Sequence, residues 1–204
     1  MTMAETEIVE KAESAKESVW TGRFIAAAMA QGFIAVIAVG AALIATLFGA
    51  ELGLQSPSKI IAGGGVGTWV LVGFFGHIVV GVVGVAVTGL FYHHVEIHRG
   101  TRMVGLNKLL AWVHLLFLNI GAAVAPALLI MAGYAGGAHM LTSKTPAPAV
   151  FGEVHQIVVG YVVPIGAFMA LGAIGVLAGG LAFARTWFSK GVEVPEKKKL
   201  PAAA

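Results

Sequence analysis

Three histidines, His77, His114 and His155, lie inside long apolar runs. Three more, His93, His94 and His98, close the run "GFFGHIVVGVVGVAVTGLFYHHVEIHRG". An imidazole in hydrocarbon is costly unless it faces the protein interior and finds a partner, so intramembrane histidines are candidates for function. Imidazole is also a neutral ligand for ferric and ferrous haem iron. Cysteine is absent, which removes covalently attached c-type haem, thiolate-held iron–sulfur clusters and disulfides. Any metal or cofactor must be held by His, carboxylate, Met or Tyr.

The elements that would position these rings follow from the distribution of charge. The chain has 204 residues, 58% of them hydrophobic and only 11% charged, with a mean hydropathy of +0.88. No Asp, Glu, Lys or Arg lies between Arg23 and Glu51, Lys59 and Glu96, Lys108 and Lys144, or Glu153 and Arg185. Each gap exceeds the roughly 20 apolar residues that carry a helix across a bilayer. The chain therefore reads as all-α: a polytopic membrane protein, a bundle of four transmembrane helices at about 24–49, 66–95, 107–134 and 154–187. A polar, helix-prone segment over 1–22 precedes it, without the features of a secretory signal, and a basic tail over 189–204 follows.

Lys and Arg in the short flanks set the orientation. One side collects Lys11, Lys16, Arg23, Arg99, Arg102, Lys108, Arg185, Lys190 and the run Lys197 to Lys199. The other has Lys59 and Lys144. Both termini are expected to be cytoplasmic, with the chain in a membrane such as the prokaryotic plasma membrane. Topology accounts for the net charge of +3, and no nucleic acid is needed to explain it.

Depth then sorts the histidines. At about 1.5 Å per residue, His77 lies ~16 Å inside the second helix and His155 ~10 Å inside the fourth, both entered from the outer side. A bis-imidazole haem iron between His77 and His155 is feasible on this geometry. On the inner side His114 of the third helix is level with His93 or His94 at the end of the second, which allows a second pair. His77 and His93 are ~24 Å apart along one helix, a spacing that suits two redox centres stacked across a bilayer. His94 and His98, four apart with Glu96 nearby, also have a spacing that holds zinc or iron. His139, in "GGAHMLTSK", is expected to be exposed.

Other features are quieter. Gln31 is the main polar side chain of the first helix, where Gly32, Ala38, Gly40 and Ala45 would allow close approach to neighbours. "QSPSK" reads as turn chemistry, and "AGGGVG" as a flexible entry to the second helix because it lacks the Gly-Lys-Ser/Thr ending of a phosphate loop. Glycines 73, 76, 81, 84 and 89 either pack helices backbone to backbone or clear room for a flat ligand. Pro126 and Pro164 are expected to kink their helices. Tyr161, Asn119 and Gln31 are candidates for bonding haem propionates or quinone oxygens.

This layout resembles the membrane b-type cytochromes, four-helix haem-binding bundles that serve as electron-transfer subunits. There is a weaker likeness to the N-terminal helices of subunit I of the haem-copper oxidases (cytochrome oxidase and nitric oxide reductase). Gly76-His77 in "FFGHIVVGVVG" sits where that family carries a ligand of low-spin haem. "GEVHQIVVGYVVP" is similar to the family's His-Pro-Glu-Val-Tyr helix, but it lacks the leading His-Pro, and Pro164 falls further along. A copper and active-site haem centre is therefore not implied.

The expectation is a membrane electron-transfer subunit of a respiratory-type complex rather than a stand-alone enzyme. It would bind one or two b-type haems, with a quinone as a further candidate ligand, and have the bilayer and other membrane subunits or a redox partner around it. His77, His155 and His114 are the expected iron ligands, with His93 or His94 completing the inner site. The competing expectation is a cofactor-free accessory subunit, whose histidines bond to backbone. A transporter or channel is disfavoured because the charge-free stretches of the spans hold no acid or arginine.

Overall fold

The computed structural model describes residues 18–146 and 148–188. The expected segment before residue 18 and the tail over 189–204 lie outside the described residues.

The described residues form helices and no strand. Helix α1 is Val19–Phe48, α2 is the short Pro57–Ala62, and α3 is the continuous Gly65–His98. Helix α4 is Gly105–Thr142 and α5 is Ala149–Phe188. Four of them, α1, α3, α4 and α5, are long and apolar enough to cross a membrane. Lipid offers no hydrogen bonds, so a spanning chain must satisfy its backbone internally, as these helices do. Where turn chemistry is expected, "PSKIIA" forms α2, with Pro57 in the first turn where a missing N–H costs nothing. The glycine run bends the chain into α3: Gly64 and Gly65 adopt φ of 72° and 56°, open to glycine at little cost.

Helix α1 buries one stripe, Trp20, Phe24, Ala28, Gln31 and Ala35, against α3, and its other faces are apolar and exposed. Its first turn is capped twice. The Ser18 hydroxyl accepts from the Thr21 N–H at 3.2 Å, and the Glu96 carboxylate accepts from the Trp20 N–H at 3.2 Å and from the Ser18 hydroxyl. Glu96 thus serves α1 as an N-terminal counter-charge. Gly32 and Gly40 meet no neighbour, so the close approach expected of them is not made.

Helix α4 is the central strut. It packs on α3 along one side and on α5 along nearly its whole length, whereas α5 meets α3 toward its two ends, at Val66 and Trp69 and again where Phe183 packs on Phe91 and Tyr92. Between helices in lipid there is little hydrophobic drive, so close packing of small residues and polar ties must hold them. The α4–α5 seam is built that way. A Cβ on Gly121 would lie 2.6 Å from the Gly172 Cα, and one on Gly175 would lie 2.5 Å from the Leu118 nitrogen. Because α3 and α5 stand on either side of α4 and stay apart along the middle of their lengths, a groove runs between them.

Candidate functional site

His77 is buried on α3 where the helix widens into a π-helical stretch, His77–Gly84. Its Nδ1 lies 3.1 Å from the Ala122 carbonyl of α4, and its Nε2 lies 3.0 Å from the Gln31 carbonyl of α1. The first contact has a cause in the sequence. Pro126 has no N–H, so the carbonyl of Ala122, four residues earlier, loses its partner in the helix. His77 supplies one when its single N–H is on Nδ1; with the proton on Nε2 the ring donates to the Gln31 carbonyl instead. Nearby, Gln31 Nε2 donates to the Asn119 carbonyl at 3.0 Å and to Asn119 Oδ1 at 3.1 Å, and Asn119 Nδ2 donates to the Leu115 carbonyl at 2.7 Å. These contacts tie α1, α3 and α4 together at mid-span. Asn119 and the amide nitrogen of Gln31 are spent on this tie, while Gln31 Oε1 is buried without a hydrogen-bond partner among the described residues.

His114 is buried on α4 beneath an aromatic cluster. Its ring centroid is 5.1 Å from Phe24 and 5.9 Å from Tyr92, and Tyr92 stacks on Phe24 at 4.8 Å. The Tyr92 hydroxyl is 3.3 Å from His114 Nδ1. The same edge of the ring lies on the backbone of Gly179, where any Cβ would overlap it. Nε2 makes no hydrogen bond among the described residues.

His114 lies on the floor of the groove. This cavity, about 620 Å³, has Gly84, Thr88 and Phe91 of α3 on one wall and Gly180, Phe183 and Trp187 of α5 on the other, with His114 and Leu118 beneath. A second hollow of about 350 Å³ continues it along α4 past Gly76 and Gly172, sharing Val80, Leu118 and Val176. The α3 glycines therefore divide by face. Gly73 packs on the Pro126 carbonyl and Gly89 on Phe24 and Ile25, while Gly76 and Gly84 line the groove.

The expected histidine pairs are not brought together. His155 is exposed on α5, lining a hollow of about 290 Å³ with Gly65, Val66 and Met140 near the start of α3. His77 lies eleven residues further along α3, about 16 Å away along the axis, with both ring nitrogens already against carbonyls. The physical reason is rotation: Val154 and Val158 take the buried face of α5, which turns His155 outward.

At the other end, His93, His94 and His98 are exposed. The π-helical turn His94–His98 brings His98 5.8 Å from His93 and 5.3 Å from His94, centroid to centroid. His94 also stacks on Trp187 at 6.4 Å, and Arg99 lies 4.3 Å over that indole. Neither His93 nor His94 reaches His114, because Tyr92 holds the inward face of α3. Among the described residues no group of three or more His, Cys, Asp or Glu is arranged to hold a metal. His139 is half-exposed and 2.6 Å from Glu153, an ion pair that clips the end of α4 to the start of α5. Tyr161 lines neither part of the groove.

Histidine spacing does not single out Tyr92 or Gly179. Their signal is the buried stripe of α3, which steps from His77 through Gly81, Val85 and Gly89 to Tyr92. That stripe bypasses His93 and His94. Comparison of the chain with protein-family models, with curated proteins and with solved structures finds no match in any of the three.

Proposed function

We propose that this chain is an electron-transfer subunit of a respiratory-type membrane complex, with its redox group held in the intramembrane groove over His114. The observation that supports the reading is a buried imidazole with one unused nitrogen at the floor of an apolar cavity open to the bilayer. Unpaired polar groups in hydrocarbon are expensive and are kept where they serve a ligand or pathway. The candidate set narrows to His114. A b-type haem there would have this one imidazole on its iron, and a second haem has no ligand pair to hold it. A quinone is the other candidate occupant. The bilayer surrounds the bundle, other membrane subunits cover part of it, and the basic end carrying Arg23, Arg99, Arg102, Lys108 and Arg185 faces the cytoplasm.

A second reading, a cofactor-free accessory subunit, draws on His77, whose two nitrogens both lie against backbone carbonyls. One experiment separates the two. The protein is purified in mild detergent from membranes rich in haem and quinone. Haem is then assayed by a reduced-minus-oxidised spectrum with pyridine haemochrome, and quinone by organic extraction. The electron-transfer reading expects one of these groups in stoichiometric amount and its loss in His114→Phe. A chain carrying neither leaves the accessory-subunit reading in its place.

A further inference from the structure

The groove's occupant is decided by which atom of His114 carries the proton, and hydrogen bonding around the ring determines that. Tyr92 is fully buried, and its hydroxyl has one hydrogen-bond partner among the described residues, His114 Nδ1. If Nδ1 carried the proton, the ring would donate to the phenol oxygen and leave the phenol O–H buried with no acceptor. Burying an unmade donor costs its full desolvation, so the phenol donates and Nδ1 accepts. The proton of a neutral imidazole is then on Nε2, the nitrogen that has no partner in the protein. In this tautomer Nε2 is a hydrogen-bond donor with no lone pair to offer a metal.

Resting on the electron-transfer reading above, we infer that the groove over His114 binds the carbonyl-bearing ring of a membrane quinone, which accepts a hydrogen bond from His114 Nε2–H. Depth selects a quinone over the surrounding phospholipid. His114 lies six residues inward of Lys108, and Gly179 beneath it six residues inward of Arg185, so the donor sits ~9 Å below the level of the flanking charges. Phospholipid ester carbonyls stay in the polar interfacial layer with those charges. A quinone carries its carbonyls on an apolar body and brings an acceptor to this depth. The place for a flat ring is between Gly84 and Gly180, which stand on opposite sides without side chains; Phe91 and Phe183 meet edge to face at 6.0 Å and bridge the two walls beside it. The volume, about 620 Å³, leaves room for the head of an isoprenoid tail, and the continuing hollow along α4 offers it a path.

The test uses the full chain in phosphatidylcholine nanodiscs, titrated with a ubiquinone bearing one isoprene unit. Affinity is read by tryptophan quenching, since Trp187 lines the groove, and hydrogen bonding by the infrared carbonyl stretch of the bound ring. The expected result is saturable binding with a down-shifted carbonyl stretch. His114→Phe keeps a ring against Gly179 but removes the donor, so the shift disappears and affinity falls about tenfold. Gly180→Leu fills the groove from a position where an added Cβ meets no atom within 4 Å, and abolishes binding in a folded protein. Equal affinity in all three proteins overturns the inference. So does binding that appears in detergent and vanishes in phosphatidylcholine, which makes lipid the occupant. A b-type spectrum lost in His114→Phe overturns it too, by placing a lone pair on Nε2, while sustaining the electron-transfer reading. Quinone binding with no electron exchange with a reductant does the reverse.

Discussion

His77 and His114 are both buried imidazoles on neighbouring helices of one bundle, and their surroundings make opposite use of them. His77 is closed: each nitrogen faces a backbone carbonyl, one of them released by Pro126, and the ring's single N–H donates to one of the two at a time. His114 is half open, with Nδ1 held by Tyr92 and Nε2 left to the groove. Burial alone does not distinguish them, since the two rings are 6% and 5% exposed. The difference lies in what α1 and α5 bring alongside. At His77 the backbone of α1 comes within hydrogen-bond distance and seals the ring. At His114 the partner is Gly179, whose backbone can support the ring but offers it no side chain. A polar group sealed by backbone is a fastener, and one left with a free donor is a site.

Mutation can break this contrast. His77→Ala removes three helices' shared tie and leaves the Ala122 carbonyl unpartnered, with an expected loss of about 3 kcal/mol. Thermal unfolding in detergent checks it, with the double variant Tyr92→Phe/His114→Phe as the reference, which keeps both rings and leaves no buried donor unpaired. Equal destabilisation in the two variants would erase the distinction between fastener and site. A smaller effect is expected from Gly179→Ala, whose methyl overlaps the His114 ring and forces it off its seat. The cost is about 1–2 kcal/mol from overpacking. The Tyr92 bond should go with it, seen as a change in the tyrosine ring vibrations, while the His77 tie is untouched.

The smallest effect belongs to His139, a third histidine whose partner is a carboxylate near water. Glu153, in the first turns of α5, lies just before the charge-free stretch that forms that helix's apolar span. Its carboxyl is held below its ordinary range by hydrogen bonds from His139 and Thr145. A carboxylate whose folded pKa is depressed contributes stability above its unfolded pKa, and that contribution fades as pH falls through the folded value. Unfolding temperature should therefore drop slightly below the usual carboxylate range. His139→Ala should flatten that acid-side slope, and His77→Ala should leave it unchanged. The pair is exposed, so the effect is small and falls further in high salt.

The spans were legible in the sequence because lipid leaves little choice. Four charge-free stretches of sufficient length must be helices, and their ends follow the charges to within a few residues. The stripe through Gly81, Val85 and Gly89 was also present, and it points to Tyr92 as the inward residue. Histidine type carries no such directional information. His93 and His94 follow Tyr92 directly yet point elsewhere, because successive residues on a helix lie on different faces. His155 fails as a partner of His77 for the same reason, since the valines of its helix take the buried face.

Composition and charge by themselves determined the all-α class, the number of spans and the presence of imidazoles at depth. The tertiary structure alone decided which imidazole is enclosed by backbone and which faces a groove. That outcome depends on rotations and offsets between helices distant in sequence: Pro126 of α4 releasing a carbonyl beneath His77, Gly179 of α5 passing under His114, and Tyr92 of α3 reaching one nitrogen of that ring. Depth is additive along a chain and can be counted. Facing is set by the close fit of glycines across a seam, and no single helix contains it.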